Sequence, residues 1–397
     1  MNSPSYSTEN SEEPIFTCLC LKAWLSCLIF LGHLPHSRPM KHQAQFVRVL
    51  VLAGLGFLAA GHLTPPVLAA DTYKIINSSQ TMGTGGIDYV YADNDGRRLY
   101  VPRGNQILAF DLDTLKSVGT IGNSGGHGVA VDPKTHHGFS SRTPITMFDT
   151  TTLETIKSIQ VEGRPDGILF EPGTERIYVF SHEAPNVTVI DPKDGSIAGT
   201  IDLGGSPEQA ASDEHGHVYI DLEDKDSIAV VDANTLKVTA KYSLGGKGGG
   251  PGGLGLDAKN HILFAMCHDP ATCVVLSADD GKIIDTLPIG NGTDGGGFNP
   301  DTMEAFSSQR DGTLTIIKEN SPTSFEVEQT VQTKPRAKTC TLDTKNDHII
   351  LITTEAAPAP APAAGAATTP PANAGQQGAQ RGGRSGPGFL DILVVGR

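Results

Sequence analysis

The chain has 397 residues, 46 of them glycine, few aromatic side chains (6%) and a formal net charge of −14. That length holds two average domains or one large all-β domain. The negative balance, with no basic run, excludes unaided binding to nucleic acid or an anionic membrane, which needs clustered Lys and Arg.

Residues 1–70 read as targeting sequence. A short basic stretch from Met40 to Arg48 precedes the apolar run "VLVLAGLGFLAA", and "PPVLAA" offers small residues for cleavage after Ala69 or Ala70. Residues 40–70 are therefore expected to be a secretory signal, and residues 1–39 an upstream extension, with translation starting at Met40. The competing expectation makes Ile15–Leu34 a membrane segment, against which Lys22 lies near its middle. On either reading the mature chain, 71–397, is exported to the periplasm or beyond, and no membrane span is expected within it.

From residue 71 onward helix-period stretches are absent, and short alternating strands are separated by Gly, Asn, Asp and Pro. "YKIINSSQT" (Tyr73–Thr81) is a strand with no unit of its own. Similar units then begin near Asp88, His127, Asp166, Glu208, Gly252, Asp294 and Lys338, at offsets of 39, 39, 42, 44, 42 and 44 residues. Each carries four short strands. A period of roughly 40 residues with four strands is the pattern of a β-propeller blade, so the fold class expected is an all-β, seven-bladed propeller. The seventh unit has strands at Thr339–Asp343 and His348–Thr353, then a Pro/Ala/Gly-rich tract (355–388), then "FLDILVV" (Phe389–Val395). A fourth strand is missing there. Tyr73–Thr81 is expected to supply it by pairing with Phe389–Val395, which closes the ring and removes an exposed edge. The tract is then a long surface insertion, which costs little closure entropy and reads as a solvated spacer.

"RRLYVPRGNQILAFDLDTLKSVGTI" and "ERIYVFSHEAPNVTVIDPKDGSIAGTI" resemble the YVTN-type propeller repeat, and the chain resembles the YncE-like family of exported bacterial propellers. The resemblance implies the same fold across 73–397. It says little of function, because propellers host lactonases, dehydrogenases, lyases and pure binding scaffolds. The second strands read "LYVPRG", "GFSSRT", "IYVFSH", "VYIDLE", "LFAMCH", "EAFSSQ" and "IILITT", without the Thr-Asn pair of the repeat.

First strands of a propeller line its central channel. The residues five before the Asp, Glu or Asn ending each first strand are Asp88, His127, Asp166, Glu208, Gly252, Asp294 and Lys338. Fifteen or sixteen residues further on, on the same face, stand Arg103, Arg142, His182, Glu223, His268, Arg310 and, in unit seven, Thr354. Two concentric polar rings at one pore mouth form the expected ligand site. Asp166, Glu208 and His182 could bind a divalent metal, the one cofactor the sequence suggests. Asp88 with Arg103, and His127 with Arg142, could orient a carboxylate or sugar-like ligand. The plain alternative is that such residues bond backbone groups of the links between blades, or form solvated ion pairs of little worth.

Cys267 and Cys273 flank a short turn in "AMCHDPATCVV"; they either form a disulfide or are two buried thiols. His136-His137 and His215-Gly216-His217 fall in turns on the opposite face. "GGKGGGPGG" lacks the ending of a phosphate loop and reads as a link between blades. No nucleophile elbow, HExxH or dinucleotide fingerprint occurs. The leading expectation is thus a monomeric binding or scaffold protein for a small molecule, glycan or envelope protein. The others are a lactonase-like hydrolase, with or without a divalent metal, and a structural surface protein.

Overall fold

In each repeat the second and third strands are near-continuous apolar runs, while the fourth alternates. Ile262–Cys267 is buried throughout, whereas Lys237–Ser243 is exposed at every other residue. A sheet buried on both faces in its middle and wetted at one edge is stable only between two like sheets. The computed structural model, which describes residues 71–357 and 387–397, shows that arrangement. Seven antiparallel four-stranded sheets stand as blades in a ring. Seven apolar clusters fill the seven gaps between neighbouring blades; one joins Leu99 and Phe110 of blade one to Ile352 and Ile392 of blade seven. Among the described residues no helix is long and apolar enough to cross a membrane. The expected targeting segment and the tract at 358–386 lie outside the described residues.

The innermost strands are Tyr91–Asp93, Val129–Asp132, Pro165–Glu171, Pro207–Ser212, Pro251–Asp257, Thr293–Asn299 and Thr339–Asp343, for blades one to seven. Blade seven runs outward through His348–Ala356 and Gly388–Gly396 to Lys74–Gly83, so the first and last of the described strands share one sheet. Ile75 pairs with Val395 and Ser79 with Ile392. The expected closure is observed, with all three strands longer than the sequence reading drew them.

A clasp to blade six secures that seam. The Tyr73 hydroxyl donates to Glu304 Oε2 at 2.6 Å, and Gln329 brackets the Tyr73 backbone with bonds of 2.9 and 2.7 Å. The Arg397 guanidinium lies 4.4 Å from the Tyr73 ring centroid and reaches Glu304 as well. Buried Glu304 thus holds residues from both chain ends.

The disulfide alternative for Cys267 and Cys273 is corrected. Both are free, buried thiols. Cys273 pairs across the strands with Met266, one residue off Cys267, so the two sulfurs leave opposite faces of blade five. Cys267 packs toward blade four and Cys273 toward blade six.

Candidate functional site

At the channel mouth, where the first strands begin, the inner ring forms one connected chain of acids and bases. Lys338 bridges Asp294 and Asp88, the latter at 3.4 Å. Asp88 Oδ2 accepts from His127 Nδ1 at 2.7 Å. The same nitrogen lies 3.0 Å from Asp166 Oδ1. Asp166 Oδ2 is 3.1 Å from His182 Nε2, which is 3.2 Å from Glu208 Oε1. The Tyr89 hydroxyl ends the chain, donating to Glu208 Oε2 at 3.0 Å. Six of the seven inner-ring positions are joined in this way; the seventh is Gly252.

The electrostatics follow from the alternation. Hydrogen bonding to Asp166, then to Asp88, pushes the His127 imidazole up to about 10. Asp166 and Glu208 do the same for His182, also to about 10. Burial pushes the Asp166 carboxyl up, but the two imidazoles outweigh it and hold it well below the usual carboxylate range. Burial, then Glu208, drives the Tyr89 phenol well above its ordinary value. Both imidazoles are therefore cations at neutral pH, each held between carboxylates. Yet one Nδ1 proton cannot serve two acceptors. It is aligned on Asp88, leaving Asp166 Oδ1 buried without an aligned bond; His182 Nε2 is likewise close to two carboxylates and aligned on neither.

The second ring scatters. Only His182 joins the inner chain. Arg103 is 2% exposed and donates to the carbonyls of Thr81 and Gly388 at 2.9 and 2.8 Å, tying blade one to the closing strands. Its pairing with Asp88 is not formed. Arg142 donates to Ser124 O at 2.7 Å and Asn105 Oδ1 at 3.1 Å. Glu223 opens a short 3-10 turn, Glu223–Lys225, and its amide bonds Ser206 O at 2.9 Å. Arg310 is exposed beside Gly292. Thr354 accepts from Arg336 at 3.5 Å.

His268 explains the glycine in the ring. A Cβ on Gly252 would sit 2.6 Å from His268 Nε2, so the imidazole occupies the space that a ring side chain would fill. Burial lowers the His268 pKa, with Arg310 and Lys338 adding to the effect and Glu208 opposing it.

Two functional residues escape the ring rule. Tyr89 reaches from blade one to blade four. Gln209 reaches from blade four to blades five and six, donating to Gly296 O at 2.8 Å and accepting from the amides of Leu254 and Gly296. Both residues line a cavity of ≈ 460 Å³, together with Tyr91, Phe170 and Phe298. The signal was present. The residue after each ring position is Tyr89, Gly128, Gly167, Gln209, Gly253, Gly295 and Thr339. A Cβ on Gly167 would meet Glu208 O at 2.5 Å, and one on Gly253 would meet Gly295 at 2.9 Å. Glycine there lets the inner strands converge, so the two large exceptions plug the pore.

No protein-family profile and no curated protein matches the chain. Solved structures do. One similar structure is a chain of the mitotic checkpoint complex, at 9% identity and TM-score 0.60, covering 80% of this chain and 95% of that one. Another is the WD40 repeats of RRP9, at 10% identity and TM-score 0.61, covering 80% and 97%. These likenesses establish the propeller fold.

Proposed function

We propose that this chain is an exported propeller of the YVTN type that binds a small polar ligand, a glycan or an envelope protein at the channel mouth. The observation that carries the reading is where the mouth carboxylates spend their oxygens. Asp88, Asp166, Glu208 and Asp294 engage side chains of other blades or of the next ring and not link amides, which argues against the backbone form of the plain alternative, and the Asp166–His182–Glu208 pairs are too shielded for its other form, the solvated ion pair. Such a chain presents oriented acceptors and cations to a polyhydroxylated or charged ligand with little reorganisation. Export rests on the signal-like residues 40–70 and is checked by N-terminal sequencing of envelope-fraction protein for cleavage after Ala69 or Ala70.

A thermal-shift screen of divalent metals, sugar lactones and cell-wall fragments tests the binding itself, because a ligand of the native state raises the melting temperature by mass action. At least one class is expected to stabilise the wild type and to lose that effect in an Asp166→Asn/Glu208→Gln double variant. Stabilisation that survives the double variant removes the mouth from the account.

A second reading, a lactonase-like hydrolase with a divalent metal, is favoured by one feature. Single ligand atoms of Asp166, His182 and Glu208 lie within 4.8 Å of one another, the donor set a divalent cation takes. Metal binding there must expel the His182 proton, so it strengthens with rising pH. Elemental analysis of the purified protein, with and without the double variant, decides it.

A further inference from the structure

The arginines of the propeller divide by face. On the side away from the mouth, Arg97, Arg98 and Arg176 each pair with a carboxylate, and Arg397 pairs with Glu304 at the clasp. In the loops that rim the mouth, Arg142, Arg164, Arg310 and Arg336 have no carboxylate within ion-pair reach among the described residues. Two of these four share a wall. Arg142, from the loop after the second strand of blade two, and Arg164, from the link into blade three, line an open pocket of ≈ 370 Å³ with His127. Gly104 and Gly126 form part of its lining. Arg142 spends one nitrogen on neutral acceptors, Ser124 O and Asn105 Oδ1, so its charge is held in place but not compensated. The Arg164 amide donates to Ser181 Oγ at 2.7 Å, while its exposed side chain has no hydrogen-bond partner among the described residues.

In a chain of net charge −14 with 44 acidic residues, two adjoining guanidiniums left without an acid point to a ligand that supplies one. The carboxylates beside His127, Asp88 and Asp166, are already turned to its imidazole. A guanidinium offers parallel donors to the two oxygens of a carboxylate or phosphate, and two such forks bind an oxyanion more firmly than a lysine would. His127, which lines this pocket, lies 2.7 Å from Asp88 Oδ2 and 3.0 Å from Asp166 Oδ1, so the pocket adjoins the acceptor-rich chain, which suits hydroxyl groups.

We propose that the pocket between Arg142 and Arg164 receives the oxyanion of a small polyhydroxylated acid, a sugar acid or sugar phosphate, whose hydroxyls face Asp88, Asp166 and Glu208. This rests on the mouth being the ligand site and adds the chemical class of the ligand. The carboxylate and phosphate forms share one recognition, and the probes below separate them.

The experiment is calorimetric titration at low ionic strength with gluconate, glucose 6-phosphate, inorganic phosphate and neutral glucose. Wild-type protein is expected to bind at least one sugar anion more tightly than glucose. Arg164→Gln, at an exposed position that leaves the fold intact, is expected to weaken that anion by about tenfold, and Arg142→Gln/Arg164→Gln further. Arg164→Lys recovers part of the loss. A greater effect on phosphate esters than on gluconate identifies the tetrahedral anion. Equal affinity for anions and glucose, or anion affinity untouched by both arginine variants, overturns the proposal. The underlying reading fails separately: if Asp166→Asn/Glu208→Gln changes no titration while the arginine variants do, the pocket stands and the mouth does not.

Discussion

The two ends of each first strand use the same residue types in opposite ways. At the end away from the mouth, the closing residues Asp93, Asp132, Glu171, Asp213, Asp257, Asn299 and Asp343 all accept a backbone amide two to four residues further on. Each caps its own turn, and Glu171, Asn299 and Asp343 also bond a residue of a neighbouring blade. Five residues earlier, at the mouth, Asp88 reaches Lys338 across 250 residues and Tyr89 reaches Glu208 across 119. A carboxylate that closes its own turn holds the scaffold together. One whose partners come from other blades is held by the ring, and under the proposed function it exchanges those partners for a ligand. The comparison separates stability from recognition along strands of only a few residues.

The largest expected effect is on the scaffold side. Glu171 is fully buried and accepts from Gly173 N, Thr174 N, Thr174 Oγ1 and Ser212 Oγ. Glu171→Ala strands those donors and should cost about 3 kcal/mol in urea unfolding. Binding of any mouth ligand should be unchanged for the fraction still folded. A variant of normal stability that no longer binds ligand would break the comparison.

Next comes a pH effect on the same side. Glu319, 3% exposed, accepts from Asn260 Nδ2 at 2.9 Å. Burial, then the charge of Asp257, raises its carboxyl to about 7 from an ordinary 4.5. The folded state therefore holds this proton more tightly than the unfolded chain. Its contribution is full below about pH 4.5 and is lost as pH rises through about 7, a change on the order of 2 kcal/mol. Glu319→Gln should flatten that part of the stability curve.

The mouth itself should respond in charge more than in stability. Asp166 is the leading cause of the raised pKa at both His127 and His182. In an NMR titration Asp166→Asn should bring both imidazoles down. Asp88→Asn should lower His127 alone, and Glu208→Gln His182 alone. Uncoupled responses to Asp166→Asn would mean the chain of contacts is not continuous.

The repeat and its closure were legible because a period near 40 residues and one leftover strand are visible without any side-chain geometry. The inner ring was legible for the same reason: one offset from the strand end finds six contacting residues. The second ring was not, because equal offsets do not give equal surroundings. Arg103 and Arg142 occupy matching positions, but only Arg103 stands next to the seam, where the carbonyls of Thr81 and Gly388 capture it. Those carbonyls come from strands more than 300 residues apart in the sequence, so no local pattern announces them. Tyr89 and Gln209 were missed for another reason: they matter as exceptions to a glycine rule, and the rule appears only once the inner strands are seen to converge.

The smallest expected effect concerns the thiols. Cys267 and Cys273 flank one turn and look close along the chain, yet side chains one register step apart leave opposite faces of a sheet. A bridge needs Cβ atoms about 4 Å apart on converging vectors, whereas these two sulfurs sit in different interblade clusters. Burial pushes both thiols up, so they are poor nucleophiles as well. The melting temperature should be the same with and without reductant, and both thiols should alkylate only after unfolding. A reductant-sensitive transition would require blade five to be rebuilt with its second and third strands shifted by one residue relative to each other, and that shift would turn either Phe264 or Val275 out of the core they now fill between blades five and six.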